Sequence, residues 1–94
     1  MGEKTMPFDA AKYLDTAQSQ IELLEDAIAT ADAGYIANAL GVIARARGMS
    51  KVARDAGLSR EGLYTSLSAD GDPRLTTLLG VLGALGLKMH LTAA

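Results

Sequence analysis

The stretch MSKVARDAGLSREGLYTSLS, residues 49–68, decides the fold, because it has the spacing of two short helices joined by a tight turn. Gly57 stands where such a turn needs a residue that tolerates a positive φ. Ser59 is a good N-cap for the second helix, and the small residue Ala53 lets the two helices cross closely. The stretch therefore predicts either a helix-turn-helix that enters the DNA major groove or two core helices of a small bundle.

The distribution of apolar residues in this stretch favours the helix-turn-helix. Hydrophobic side chains recur where both helices must be pinned to a core, and polar side chains fall on the opposite face of the second helix. The expected packing residues of the motif are Val52, Ala53, Gly57, Leu58, Leu63 and Leu67.

The charge pattern is compatible with DNA binding, although the 94-residue chain has a formal net charge of −2 at pH 7. Residues 1–40 hold seven acidic and two basic residues, whereas residues 41–68 hold two acidic and five basic residues. A polyanion responds to charges within about 8–10 Å, so the local charge matters more than the total. The basic segment coincides with the helix-turn-helix.

Polar residues of the motif are the candidates for DNA contacts. Arg60, in the first turn of the second helix, can donate to O6 and N7 of guanine, with a phosphate contact or a free surface position as the alternatives. Glu61 can accept from cytosine, but we expect it to brace Arg60. Ser50 and Lys51 begin the first helix, where backbone amides also favour phosphate. The expected DNA-binding residues are Ser50, Lys51, Ser59, Arg60, Glu61, Tyr64, Thr65 and Ser68.

Four further charged residues lie in or beside the motif. Arg45 and Arg47 are expected either to contact phosphate or to complement the dipole of the helix that they end. Arg54 and Asp55 are expected to form a solvated pair. Tyr64, within the motif, either contacts DNA or is half-buried in the core.

The N-terminal part of the chain predicts an acidic helical segment, residues 8–31. Asp9 is a candidate cap for a single turn. Asp15 or Thr16 caps a longer helix that runs to about Ala31, because apolar residues recur there at helical spacing. Its opposite face carries carboxylates.

Residues 33–86 predict the DNA-binding helical core. Asp32 is a good cap for the first helix of this core, and Gly48 ends it. Asp72 and Pro73 have the pattern of an N-cap followed by proline at the first helical position. The leucine-rich helix that follows is expected to end at Gly86.

Residues 87–92 alternate apolar and polar side chains, which predicts a short C-terminal β-strand. A lone strand has nothing to pair with inside this chain, so we expect it to pair with the same strand of a second copy, giving a homodimer. The expected fold is an all-α single domain over residues 1–94, with about five helices and this strand.

Residues 39–89, ALGVIARARGMSKVARDAGLSREGLYTSLSADGDPRLTTLLGVLGALGLKM, resemble the antidote family of addiction modules. These are antitoxins of the Cro/repressor-like helix-turn-helix class, related to the HigA type. The most diagnostic pieces are IARARGMS, GLSREGLY, DGDP and ALGLKM, and the resemblance extends from Phe8 to Leu91. Gly80 and Gly83 depart from it, because larger or charged helix formers are expected at these positions. Each glycine costs a helix roughly 1 kcal/mol relative to alanine, so either close packing offsets this cost or the helix is soft.

The resemblance implies a small dimeric antitoxin that binds double-stranded DNA at an inverted-repeat operator. It also implies a RelE/ParE-like toxin partner, which the antitoxin neutralises while repressing the shared operon. Because such toxins are generally basic, the acidic N-terminal half is expected either to bind the toxin or to serve only as a solubilising surface. The alternatives are a free-standing helix-turn-helix repressor without a toxin and a module that binds protein only.

Other functional classes find little support in the sequence. The chain has no cysteine and a single histidine, His90, so no metal site or cofactor is expected. The carboxylates of residues 15–32 have no nucleophile nearby, and the glycines at 80, 83 and 86 lie inside a leucine stripe rather than in a phosphate loop. No apolar run approaches the roughly 20 residues that span a bilayer. We therefore expect a cytoplasmic binding protein and no enzyme.

Overall fold

The computed structural model describes residues 16–93, and these residues form five α-helices. The helices are α1 Ala17–Ala29, α2 Ala33–Arg47, α3 Met49–Ala56, α4 Arg60–Ser66 and α5 Leu75–Ala84. The all-helical fold predicted from the sequence is confirmed. The single turn expected after Asp9 lies outside the described residues. Within residues 16–93, every helix is too short or too polar to cross a membrane.

Side-chain caps begin three of the helices where the sequence predicts them. The hydroxyl oxygen of Thr16 accepts a hydrogen bond from the backbone N–H of Ser19 at 3.1 Å, so Thr16 begins α1. Asp32 and Ser59 cap α2 and α4 in the same way. Each cap satisfies a backbone N–H group that has no partner inside its helix.

The start of α5 differs from the prediction. Asp72 and Pro73 remain in the preceding loop, and α5 begins at Leu75 with Arg74 as an N-cap that makes no side-chain capping bond. Arg74 has extended backbone angles, φ −64° and ψ 159°, which place the helix boundary after it. Helix α5 is therefore held by the packing of its leucines and valine rather than by a local cap.

The predicted C-terminal strand does not form in the described chain, where residues 87–93 have no regular structure. A strand needs a hydrogen-bonded neighbour, and residues 16–93 contain no other strand. The predicted end of α5 is confirmed, because Gly86 has a φ of 74° and Leu87 donates its N–H to the Leu82 carbonyl at 2.8 Å. Pairing of the tail with a second copy stays a prediction.

All five helices contribute to the hydrophobic core, with Leu24 and Ala27 as the buried apolar residues of α1. Helix α3 packs most extensively on α5, while α1 packs on α2. The largest apolar side chains that are fully buried are Leu40, Ile43, Leu63, Leu67 and Val81. The helix-turn-helix thus contributes Leu63 and Leu67 to the same core that α2 and α5 build.

Two glycines of α2 allow the chain that follows α4 to lie directly against this helix. A Cβ atom at Gly41 would overlap the backbone carbonyl of Leu67, and one at Gly34 would lie 2.6 Å from the carbonyl oxygen of Ala69. Because a methyl group cannot occupy either place, α2 fixes the position at which α4 ends.

The glycines of α5 differ in what surrounds them. A Cβ atom at Gly80 would lie 3.3 Å from the carbonyl oxygen of Ala56, whereas one at Gly83 would have nothing within 4 Å. Close packing against α3 therefore accounts for Gly80. Nothing in the described structure explains Gly83.

Candidate nucleic-acid interface

Helices α3 and α4 pack against each other through a tight turn at Gly57. Gly57 has φ 75° and ψ 30°, in the left-handed region that favours glycine. Its N–H donates to the Arg54 carbonyl at 3.1 Å, and the Leu58 N–H donates to the Ala53 carbonyl at 2.8 Å. These two bonds satisfy the last carbonyls of α3 and fix the direction in which the chain enters α4.

The side chains expected to hold the motif together face the core. Val52, Ala53, Leu63 and Leu67 are buried, and Leu58 is half-buried against the same cluster. A Cβ atom at Gly57 would meet nothing within 4 Å, so the turn needs glycine for its backbone angles rather than for space. Both helices are thereby anchored, and the opposite face of α4 is left to solvent.

The exposed face of α4 brings four of the expected DNA-binding residues together. Arg60, Glu61, Tyr64 and Thr65 line one shallow depression on the surface. The guanidinium carbon of Arg60 lies 5.8 Å from the centre of the Tyr64 ring, a cation–π arrangement. The attraction between the charge and the ring favours a guanidinium position next to Tyr64. Tyr64 is 43% exposed and therefore belongs to this surface more than to the core.

Glu61 does not brace Arg60 as the sequence suggests, since residues 16–93 show no ion pair between them. Glu61 lies instead in the first turn of α4, where a carboxylate interacts favourably with the helix dipole. Arg60 and Glu61 are adjacent in the sequence, so their side chains point in different directions around the helix. Tyr64 follows Arg60 by one turn and therefore lies on the same face.

Three hydroxyl groups of the site, those of Ser59, Thr65 and Ser68, are already hydrogen-bonded. Ser59 accepts from the Gly62 N–H at 3.0 Å, which leaves its own proton free to be donated. Thr65 donates to the Glu61 carbonyl and half-buried Ser68 donates to the Thr65 carbonyl, both at 3.1 Å. A phosphate accepts but does not donate hydrogen bonds, so of these three hydroxyl groups that of Ser59 is the best prepared to bind one.

The exposed face of α3 carries two cations that share one carboxylate. Lys51 Nζ lies 2.8 Å from Asp55 Oδ2, and Arg54 Nε lies 3.9 Å from Asp55 Oδ1. The hydrogen bond from Lys51, together with the nearby positive charges, lowers the pKa of Asp55 below its ordinary value. Ser50 is exposed at the start of the same helix. The sequence reading pairs Asp55 with Arg54, although the four-residue spacing from Lys51 indicates the closer pair.

Arg47 has a structural contact that the sequence does not reveal. Its Nε donates to Oε1 of Gln20 at 2.9 Å, and Gln20 is only 2% exposed. The bond joins α1 to the end of α2, next to the first helix of the motif. Arg45 is exposed and remains available to a phosphate. The two partners lie 27 residues apart, so no local pattern could have paired them.

The described chain contains no candidate metal site, because residues 16–93 bring no three His, Cys, Asp or Glu side chains together. His90 is exposed in the C-terminal tail, as expected for a surface residue. Helices α3 and α4 carry the exposed cations Lys51, Arg54 and Arg60.

Comparison with known proteins adds an independent observation. Residues 4–93 match the family model described as "Probable addiction module antidote protein". A protein of Haemophilus influenzae, described as uncharacterized, is 45% identical over 91 residues, which cover 96% of this chain and 93% of the relative. No solved structure matches the chain. With nearly its whole length matched, the chain belongs to the addiction module antidote family.

Proposed function

We propose that this protein is the DNA-binding antitoxin of a type II toxin–antitoxin module. In this proposal it neutralises a RelE/ParE-like toxin and represses the operon that encodes both proteins. The observation that carries the proposal is the exposed face of α4 in a member of an antidote family. Arg60, Glu61, Tyr64 and Thr65 come together there, directly after the turn that Gly57 closes.

The proposed DNA contact places α4 in the major groove, with α3 against the phosphate backbone. Arg60 reads a guanine through its free N–H edge, while Tyr64 holds the guanidinium in place. Ser50 and Lys51 contact phosphate from the first turn of α3. Ser59, which still has a proton to donate, bonds to a phosphate at the entrance of α4.

The proposed operator is an inverted repeat that is bound by a homodimer. Helix α5 leaves two leucines on its outer face, Leu75 at 64% and Leu79 at 50% exposure, and the tail exposes Met89 and Leu91. This apolar surface and the unpaired tail support self-association. A two-fold dimer would present its two α4 helices about one DNA turn apart, roughly 34 Å, or a multiple of that distance.

The proposed toxin-binding region is the acidic surface, which we define as Glu22, Glu25 and Asp26 on the exposed face of α1. Residues 16–44 contain four acidic residues and no lysine or arginine. Glu25 and Asp26 form no ion pair within residues 16–93. A surface of one sign supports the steering of a basic partner, and it also disfavours contact between α1 and DNA.

An electrophoretic mobility-shift assay tests the DNA-binding part of the proposal. The probe is the DNA upstream of the gene for this protein, and a shuffled duplex of equal length is the control. We expect the upstream DNA to shift at a lower protein concentration, and Arg60→Ala to lose most of that preference. Equal binding to both duplexes by the wild-type protein would exclude sequence-specific repression.

A pull-down of the protein encoded by the neighbouring gene tests the antitoxin part. Its capture supports an antitoxin. A specific DNA shift without capture indicates a free-standing repressor, and capture without any DNA shift indicates a module that binds protein only.

A further inference from the structure

The ion-paired cluster on α3 consists of Lys51, Arg54 and Asp55, three exposed residues of the first helix of the motif. Asp55 uses both carboxylate oxygens, one on each cation. Two of the positive charges that could meet a phosphate backbone are thus already engaged by a carboxylate of their own helix. A DNA phosphate must compete with Asp55 for them.

The stability of α3 does not account for this arrangement. Lys51 lies near the N-terminus of α3 and Asp55 near its C-terminus, and both positions are opposite to those that the helix dipole favours. A cation placed four residues before a carboxylate is also the weaker of the two possible orders. Exposed pairs of this kind contribute little to folding. The carboxylate therefore changes the surface charge of the motif more than it changes the stability of the fold.

We propose that Asp55 restrains DNA binding by holding Lys51 and Arg54 away from the phosphate backbone. Asp55 is then a positioning residue that lowers the sequence-independent part of the affinity. That part of the affinity comes from phosphates neutralised by lysine and arginine, with release of their counterions. The restraint makes occupancy of a site depend more on the contacts of α4. The inference rests on the proposed DNA binding and assigns a role to a residue outside the expected contact set.

Asp55→Asn tests this inference, because the amide keeps the shape of the side chain and removes its charge. The measurement is the dissociation constant for a random-sequence duplex, by fluorescence anisotropy over a range of salt concentrations. We expect Asp55→Asn to bind roughly three- to tenfold more tightly at about 0.1 M salt. The slope of log K against log salt should become steeper by about one unit.

Three further variants separate the restraint from a general charge effect. Asp32→Asn makes the same charge change at the start of α2, outside the motif and the acidic surface, and should leave the slope unchanged, because asparagine also caps a helix. Asp55→Glu keeps the negative charge and should show the wild-type slope of log K against log salt. The double variant with Lys51→Gln and Asp55→Asn should lose most of the gain in DNA affinity that Asp55→Asn shows alone. The lysine that Asp55→Asn would release is absent from this variant. Thermal unfolding checks that each variant is folded.

The outcomes distinguish this inference from the proposed function. If the wild type binds DNA and Asp55→Asn binds it with unchanged or weaker affinity, the restraint is overturned. The proposed function is then left intact. An equal gain in Asp32→Asn also overturns the restraint, because it shows a non-local charge effect. The absence of DNA binding in both the wild type and Asp55→Asn overturns the two proposals together.

Discussion

Arg60 and Lys51 have different expected roles, although both are exposed cations of the helix-turn-helix. Arg60 lies beside Tyr64 on the face of α4, where bidentate contact with a base edge is possible. Lys51 lies on α3, where only the phosphate backbone is expected within reach, and it must leave Asp55 to get there. We therefore expect Arg60 to read sequence and Lys51 to contribute affinity that does not depend on sequence.

Substitution of each cation by alanine tests this division. Arg60→Ala should cost about 1–3 kcal/mol of binding free energy on the operator and little on random DNA. Lys51→Ala should weaken binding to both duplexes alike, because its contact carries no sequence information. Fluorescence anisotropy on the two duplexes gives the four dissociation constants. Similar losses for both variants on both duplexes would show that Arg60 is not a reader.

At the scale of single residues, the sequence predicts positions better than partners. Ser59 and Gly57 follow from local backbone requirements, and the structure places both as expected. The partner of Arg60 is Tyr64 rather than Glu61, because side chains one turn apart share a face and adjacent ones do not. The bond between Arg47 and Gln20 depends on how α1 packs on α2, which no local pattern contains.

At the scale of elements, helix α2 is the part of the scaffold that positions the end of α4. Gly41 lets the Leu67 carbonyl lie directly on α2, and Leu67 itself is buried in the core. The orientation of the exposed face of α4 thus depends on a glycine that is outside the motif. The sequence shows Gly41 only as an unremarkable small residue within a helix.

Gly41→Ala should lower the free energy of unfolding by about 1–3 kcal/mol, because the added methyl group overlaps a backbone carbonyl. Gly83→Ala is the matched substitution, since a methyl group there meets nothing within 4 Å. It should raise the free energy of unfolding by about 0.5–1 kcal/mol through helix propensity alone. Urea denaturation measures both. Equal effects of the two substitutions would refute the close approach of α2 and residue 67.

The two elements that the sequence places incorrectly are the start of α5 and the C-terminal strand. The capping pattern at Asp72 and Pro73 is a local preference, and the packing of α5 on α3 sets a different boundary. The alternating pattern of residues 87–92 describes which side chains could share a face. It cannot supply the neighbouring strand that hydrogen bonding requires, so a single chain leaves this segment without regular structure.

At the scale of the whole molecule, the acidic residues, the basic residues and the exposed leucines of the helices lie on different elements. The acidic surface lies on α1, the basic residues lie at the end of α2 and in the motif, and the exposed leucines lie on α5. This division allows DNA, toxin and a second copy to be bound by different parts of a small protein. Two predictions concern the exposed leucines of α5 and the acidic surface of α1.

Leu79→Glu should weaken the proposed dimer, because it places a charge in the middle of the apolar face of α5. Half of the Leu79 side chain is exposed, so the fold should tolerate the change. Sedimentation equilibrium should show a shift towards monomer, and operator affinity should fall with it. An unchanged self-association constant would exclude α5 as the dimer surface.

Neutralising the acidic surface with Glu22→Gln, Glu25→Gln and Asp26→Asn should weaken binding of the protein encoded by the neighbouring gene. The loss should be larger at low salt, because screening already weakens exposed charges at high salt. Isothermal titration calorimetry at two salt concentrations measures the effect. Unchanged affinity together with unchanged salt dependence would leave these carboxylates as a solubilising surface.

The central claim is that the face formed by α4 and the start of α3 binds operator DNA. NMR chemical-shift mapping of the wild-type protein, titrated with duplex from upstream of its own gene, tests this most directly. We expect the backbone amide signals of Ser50, Lys51 and residues 59–68 to shift most, while those of Glu22, Glu25 and Asp26 stay in place. Shifts concentrated on α1, or none at saturating duplex, would contradict it.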